Sequence, residues 1–155
     1  MLTEIVCVRR RFASGHDTRA SDVGKGTFVL DIRRGTSKRT GSPLGNPFVL
    51  KDADSDKARY ACCKAFDDLL HLTTCLPDSQ TFCLTADEVA EFGLARGFEG
   101  PTRPWDGDAA RHALAEIAEV SKDREVLLVC QCRPRHCHGE SVAHHADFMR
   151  RWDSI

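Results

Sequence analysis

"VLLVCQCRPRHCHGESVAHH" (residues 126–145) decides how this chain is read. Its first part, taken as 125–131, is an apolar run of strand length, of the kind found where a strand is covered on both faces. Its middle packs three cysteines and two histidines, His136 and His138, into residues 130–138. Its last part opens a helix expected from about His138 to Trp152, so a buried strand runs through a cysteine-rich turn into a closing helix.

Working outward, "EIVCVRR" (4–10) alternates apolar and polar residues, and "TFVLDI" (27–32) is rich in strand formers. "SDKARYACCKAFDDLLHL" (55–72) places Ala58, Ala61, Cys62, Ala65, Phe66, Leu69 and Leu70 on one helical stripe, with Ser55 as N-cap. A helix over 85–97 opens on a capping box, Thr85 to Glu88, and stops at Gly97. Residues 98–107 read as a linker or an active-site lid. Residues 108–122 form an amphipathic helix with Ala110, Leu114, Ile117 and Val120 inward. Helices between the second and last strands imply a parallel pairing. The expected fold is a single α/β domain over 1–155, a small sheet with packed helices, Rossmann-like in layout, with strands near 4–9, 27–32 and 125–131 in one sheet.

Composition excludes several classes. The 155 residues carry 22 Lys and Arg against 23 Asp and Glu, and aromatics are 7%. This weakens a nucleic-acid reading, which wants basic stripes and stacking platforms. No apolar stretch approaches the roughly 18 residues of a membrane span. The start, "MLTEIVCVRRRF", lacks the pattern of a signal peptide. Eight cysteines without such a signal point to a reducing, cytoplasmic setting. Cys7, Cys62, Cys63, Cys75 and Cys83, scattered among apolar residues, read as buried small hydrophobes.

Two loops leave C-terminal strand ends, 33–48 and 131–138, where ligands bind in α/β folds. They are expected to face each other, with Asn46 and Cys137 within about 15 Å, the reach of an ordinary ligand pocket. In "GSPLGNPF" (41–48), Gly41, Gly45 and Asn46 combine with two prolines in a loop whose amides can approach an anion. Arg33, Arg34, Lys38 and Arg39 lie just upstream, and arginine offers a fork for phosphate. The lysine and hydroxyl of a Walker motif are missing. A structural turn with solvated basic residues is the plain alternative.

Three readings of the cysteine cluster stay open. Cys130, Cys132, Cys137 and His138 are a Cys₃His set of zinc ligand types, although their spacing differs from the usual pairs. Cys137 or Cys132, beside Arg133 and Arg135 and near a helix N-terminus, has the surroundings of a reactive thiolate, with His138 as base or orienting group. The third reading is structural, with small side chains at a strand end and Cys130 deepest.

"VCVRR", Leu44–Phe48, Arg59–Tyr60 and Cys130–His138 together resemble domain-of-unknown-function family 4326. The final strand and its cysteine-histidine arrangement are also similar to a second uncharacterised family, number 488. The resemblance implies that the two loops form one site and implies no substrate.

The leading expectation is a small enzyme, a hydrolase or transferase, acting on a nucleotide, nucleoside or other phosphorylated metabolite. Arg33, Arg34, Gly45, Asn46 and Arg59 would bind it; Cys132, Cys137 and His138 would act on it, with Asp31 or Glu140 as alternative bases. The alternatives are a zinc-stabilised module binding nucleic acid or a protein partner, and a phage-type inhibitor acting by surface contact.

Overall fold

The computed structural model describes the backbone of residues 5–9 and residues 28–35, 41–51, 55–77, 80–130 and 138–152. The element order is β1 (Ile5–Arg9), β2 (Phe28–Asp31), α1 (Asp56–Cys75), β3 (Cys83–Leu84), α2 (Ala86–Leu94), β4 (Trp105–Asp106), α3 (Gly107–Val120), β5 (Val126–Cys130) and α4 (His138–Trp152).

β5 lies between β1 and β2 and pairs in parallel with both, so Val126 is opposite both Ile5 and Phe28. A strand flanked on both edges and covered by helices must be apolar along its length. Val126, Leu128, Val129 and Cys130 are buried accordingly. The ladder continues past β2, where the Ile32 amide donates to the Val129 carbonyl at 3.0 Å. The domain is α/β. Its parallel sheet has three strands among the described residues, against six in the doubly wound arrangement to which a Rossmann-like layout refers.

The closing helix α4 packs on α1 and α3 and against β1 and β5. α1 buries Cys62, Ala65, Phe66, Leu69, Leu70 and Thr73, the stripe its periodicity requires, and Ser55 caps it by accepting from the Ala58 amide. α2 shows both halves of its capping box. It ends at Leu94, and the chain then turns out at Gly97, whose φ of +84° suits glycine. No helix among the described residues is long and apolar enough to cross a membrane.

Residues 98–107 are more structured than a linker. Phe48 bridges Thr102, the Val49 amide donates to Pro101, and the Arg103 amide donates to Pro47. β4 then pairs antiparallel with β3. Two-residue strands carry no readable period, and Pro101 and Pro104 mask them further. The cysteines also need correction. Cys62 is buried, but Cys63 is only half-buried and Cys75 and Cys83 are exposed. The last two sit where α1 ends and on the short β3–β4 ribbon, at the rim of the apolar core.

Candidate functional site

Past β2 the chain runs on through Ile32–Gly35 and lies against the 41–48 loop. The Ser42 amide donates to the Arg33 carbonyl at 2.9 Å, and the Gly45 amide to Ser42 at 3.0 Å. A Cβ on Gly41 would stand 2.1 Å from the Gly35 nitrogen, and one on Gly45 would stand 2.8 Å from the Arg34 Cα. The two glycines therefore let one backbone segment seat on another.

Between this loop and the segment before α3 lies a cleft of about 290 Å³. Arg34, Gly45 and Asn46 line it together with Arg103, Trp105 and Asp106. Arg34 Nη1 donates to the Phe48 carbonyl at 3.3 Å, and Arg103 Nη1 donates to the Gly35 carbonyl at 2.8 Å. Asp106 caps α3 by accepting from the Ala109 amide, and both residues line the cleft, so the N-terminus of α3 borders it with the Asp106 carboxylate offsetting the helix dipole there. Trp105 is buried, with its indole N–H on Thr73 Oγ1. Arg103, Trp105 and Asp106 are functional candidates that sequence reasoning missed; the lid reading of 98–107 was the one available signal. Arg33 turns away from the cleft. It is buried, and its guanidinium grips both oxygens of Asp31, so the fork expected for an anion already holds a carboxylate. Asp31, an alternative base, is tied in the same pair.

Beneath the loop sits Cys62. Asn46 Nδ2 donates to its Sγ at 3.3 Å, and the thiol donates to the Phe48 carbonyl at 3.4 Å. Asn46 Oδ1 accepts from the Phe48 amide at 2.9 Å. Burial pushes the Cys62 thiol up, so it stays protonated, while Asn46, Arg34 and Arg59 pull the other way. Three expected site residues, Arg34, Asn46 and Arg59, thus converge on a cysteine read only as packing. Asn46 borders the cleft but spends one end of its amide on the loop and the other on α1 beneath it.

His138, the first residue of α4, is buried and donates from Nε2 to the Ile32 carbonyl at 3.2 Å. Its ring meets Phe66 edge-on at 5.4 Å. Burial lowers its pKa, so the imidazole is neutral, with Nδ1 as the lone-pair nitrogen. Cys130, fully buried, and Arg34 are among its electrostatic neighbours. The described end of the cysteine cluster therefore meets the chain leaving β2, and the charge of Arg34 acts on both His138 and Cys62, lowering the pKa of each. His138 is not among the residues lining the cleft. Cys132 and Cys137 lie outside the described residues, as do His136, Lys38 and Arg39, and with them the expected Asn46–Cys137 approach.

Fold and site together define an α/β domain with an arginine-lined cleft beside the C-terminal end of a parallel strand. More particularly, the chain belongs to the family described as Domain of unknown function (DUF4326), whose profile matches residues 16–148. That span takes in the glycine-proline loop, α1 and the cysteine cluster, and leaves β1 outside. No curated protein and no solved structure matches the chain.

Proposed function

We propose that the domain is a small enzyme, a hydrolase or transferase, that acts on a nucleotide, nucleoside or other phosphorylated metabolite. The observation that carries this reading is the position of Arg34, which lines the cleft and shares the Phe48 carbonyl with the Cys62 thiol. In this reading Arg34 and Arg103 neutralise the phosphate, Arg59 adds positive potential, and Asn46 with Gly45 holds the loop in shape. The cleft sits just below the usual range of about 300–1,000 Å³ for ligand pockets, which favours a phosphate with its sugar over a dinucleotide. Cys132 and Cys137 supply the nucleophile. Cys137 directly precedes α4 in the chain, where the helix dipole lowers a thiol's pKa. Neutral His138, held on the Ile32 carbonyl, orients the segment that precedes it. This reading assumes the reducing cytoplasm in which such a thiol stays free.

One observation favours a second reading, a zinc-stabilised module for nucleic acid or a protein partner. Cys130 lies near His138, whose Nε2–H is anchored on a carbonyl as metal-bound histidines usually are. Cys130 and His138 with Cys132 and Cys137 would hold the ion, which would tie residues 131–137 to β5 and α4.

A thermal-shift screen with inorganic phosphate, nucleotides and sugar phosphates at low salt tests the first reading. A ligand at about 100 times its Kd should add roughly 2.7 kcal/mol of stability. Arg103→Ala, an exposed change, should remove that gain. A flat response across the screen for the unsubstituted protein refutes the phosphate reading. Mass spectrometry of the intact protein, finding one zinc lost on Cys132→Ala, would establish the second reading.

A further inference from the structure

β3 and β4 form a ribbon apart from the three-stranded sheet, and its register sets Cys83 directly opposite Asp106. Residues opposite each other across a strand pair put their side chains on one face, about 5 Å apart at Cβ. The alternation leaves Trp105 buried and both Cys83 and Asp106 exposed. Asp106 is also the N-cap of α3, so Asp108 follows in the first turn of that helix. Gly107 lets the ribbon close on this turn. Its amide donates to the Phe82 carbonyl at 2.8 Å, and a Cβ there would stand 2.2 Å from the same oxygen. A thiol is thereby set between two carboxylates. Cys83 Sγ lies 3.5 Å from Asp106 Oδ1 and 4.0 Å from Asp108 Oδ2, and one ligand atom from each residue falls within 4.8 Å of the others.

Those sulfur–oxygen separations suit ligands of one ion. Zinc binds thiolate sulfur at about 2.3 Å and carboxylate oxygen at about 2.0–2.2 Å. Sulfur and oxygen are then about 3.5–3.7 Å apart at the tetrahedral angle, and about 3.9 Å apart across the equator of a five-coordinate ion. Both carboxylates are braced by groups outside the set, as ligating carboxylates are. Asp106 Oδ1 accepts from the Ala109 amide at 3.0 Å. Asp108 Oδ1 accepts from the Phe82 amide at 3.1 Å and from Arg111 at 2.8 Å, while its Oδ2 is the oxygen near the thiol. Arg111 is held in turn by the carbonyls of Leu76, Pro77 and Gln80, so the brace is fixed. The α3 N-terminus carries about half a positive charge, which three anionic ligands outweigh. Desolvation first, then Asp106, push the Cys83 thiol up, so it is protonated until an ion takes its sulfur.

We infer that Cys83, Asp106 and Asp108 form a zinc site at the rim of the cleft, with water completing the coordination. Asp106 places it there, since the same residue lines the cleft. A thiolate among the ligands selects a zinc-class ion over magnesium or calcium. On binding, the sulfur–zinc bond forms and the thiol proton leaves to solvent, so affinity falls with pH. The site shares no residue with the Cys130 and His138 set and needs no ligand in the cleft.

The probe is Zn²⁺ alone, added to the reduced, metal-free full chain, with alkylation of each cysteine followed by peptide mass spectrometry. Zinc at about ten times its dissociation constant should slow alkylation of Cys83 about tenfold, because only the unligated thiol reacts. Cys75, also exposed, is the internal control and should keep its rate, and Mg²⁺ should protect neither. Asp106→Asn with Asp108→Asn retains the oxygens that accept from Ala109 and Phe82. This pair should keep the far-ultraviolet circular dichroism and abolish the protection. Cys83→Ala, at an exposed position, should bind one zinc fewer per chain than the parent in equilibrium dialysis, whatever the C-terminal cluster binds. An unchanged Cys83 rate in the presence of zinc overturns the inference. So does equal protection of Cys75 and Cys83, protection that survives both aspartate changes, or equal zinc content in Cys83→Ala and the parent.

Discussion

Replacing Asn46 with alanine separates a residue that orients a ligand from one that holds its own loop. Its Oδ1 is the acceptor for the amide of Phe48, a fully buried residue, at 2.9 Å, and its Nδ2 donates to the buried Cys62 thiol at 3.3 Å. Alanine leaves that amide without an acceptor, which costs about 1–3 kcal/mol for a buried group. The bond to sulfur adds a few tenths, since thiols are weak partners, and the missing side-chain atoms leave a small void. The sum is about 2–4 kcal/mol, felt without any ligand. For a domain of this size each kcal/mol moves the melting temperature by roughly 2–4 °C, so Tm should fall by about 4–16 °C. Urea unfolding followed by circular dichroism gives the free energy directly. A variant within about 0.5 kcal/mol of the parent, the range of harmless surface changes, would refute the clamp assignment. If that variant had also lost phosphate binding, Asn46 would be a ligand contact after all.

Gly41→Ala should be destabilising by about 2–3 kcal/mol, the upper part of the overpacking range, because its Cβ would stand 2.1 Å from the Gly35 backbone nitrogen. Gly97→Ala meets no atom within 4 Å, so its cost of about 1 kcal/mol should come from the positive φ alone. Equal urea midpoints for Gly41→Ala and the parent would show that the loop does not seat on residues 33–35. Stability should also fall with acidity. His138 and His145 both have pKa values lowered by burial, so the unfolded chain, with histidines near 6.5, takes up protons first. Stability is therefore full above about pH 7.5 and drops as the pH falls below about 6.5, by up to about 1.4 kcal/mol per pH unit for each histidine. His138→Gln should flatten that slope when urea midpoints are compared between pH 7 and 5; an unchanged slope would place the titration elsewhere.

The sequence by itself determined those features whose causes lie within a few residues. An apolar run between Glu125 and the cysteine cluster reads as a covered strand. The stripe in α1, the Ser55 cap and the Thr85–Glu88 box follow from spacing alone, because the groups that interact are three or four positions apart. Glycine stands at 97 because little else tolerates the backbone angle with which the chain turns out after α2. The tertiary structure decided what each polar side chain faces. Arg33 read as an anion fork, yet Asp31, two residues away, takes that fork inside the fold, so the choice between ligand and neighbour rested on burial. Asn46 meets Cys62 across 16 residues, Arg103 meets Gly35 across 68, and His145 meets Asp67 across 78. Such pairs leave no period in the chain. They arise because the parallel sheet and the α1–α4 packing bring distant helix faces and strand ends together, and their energies belong to that packing.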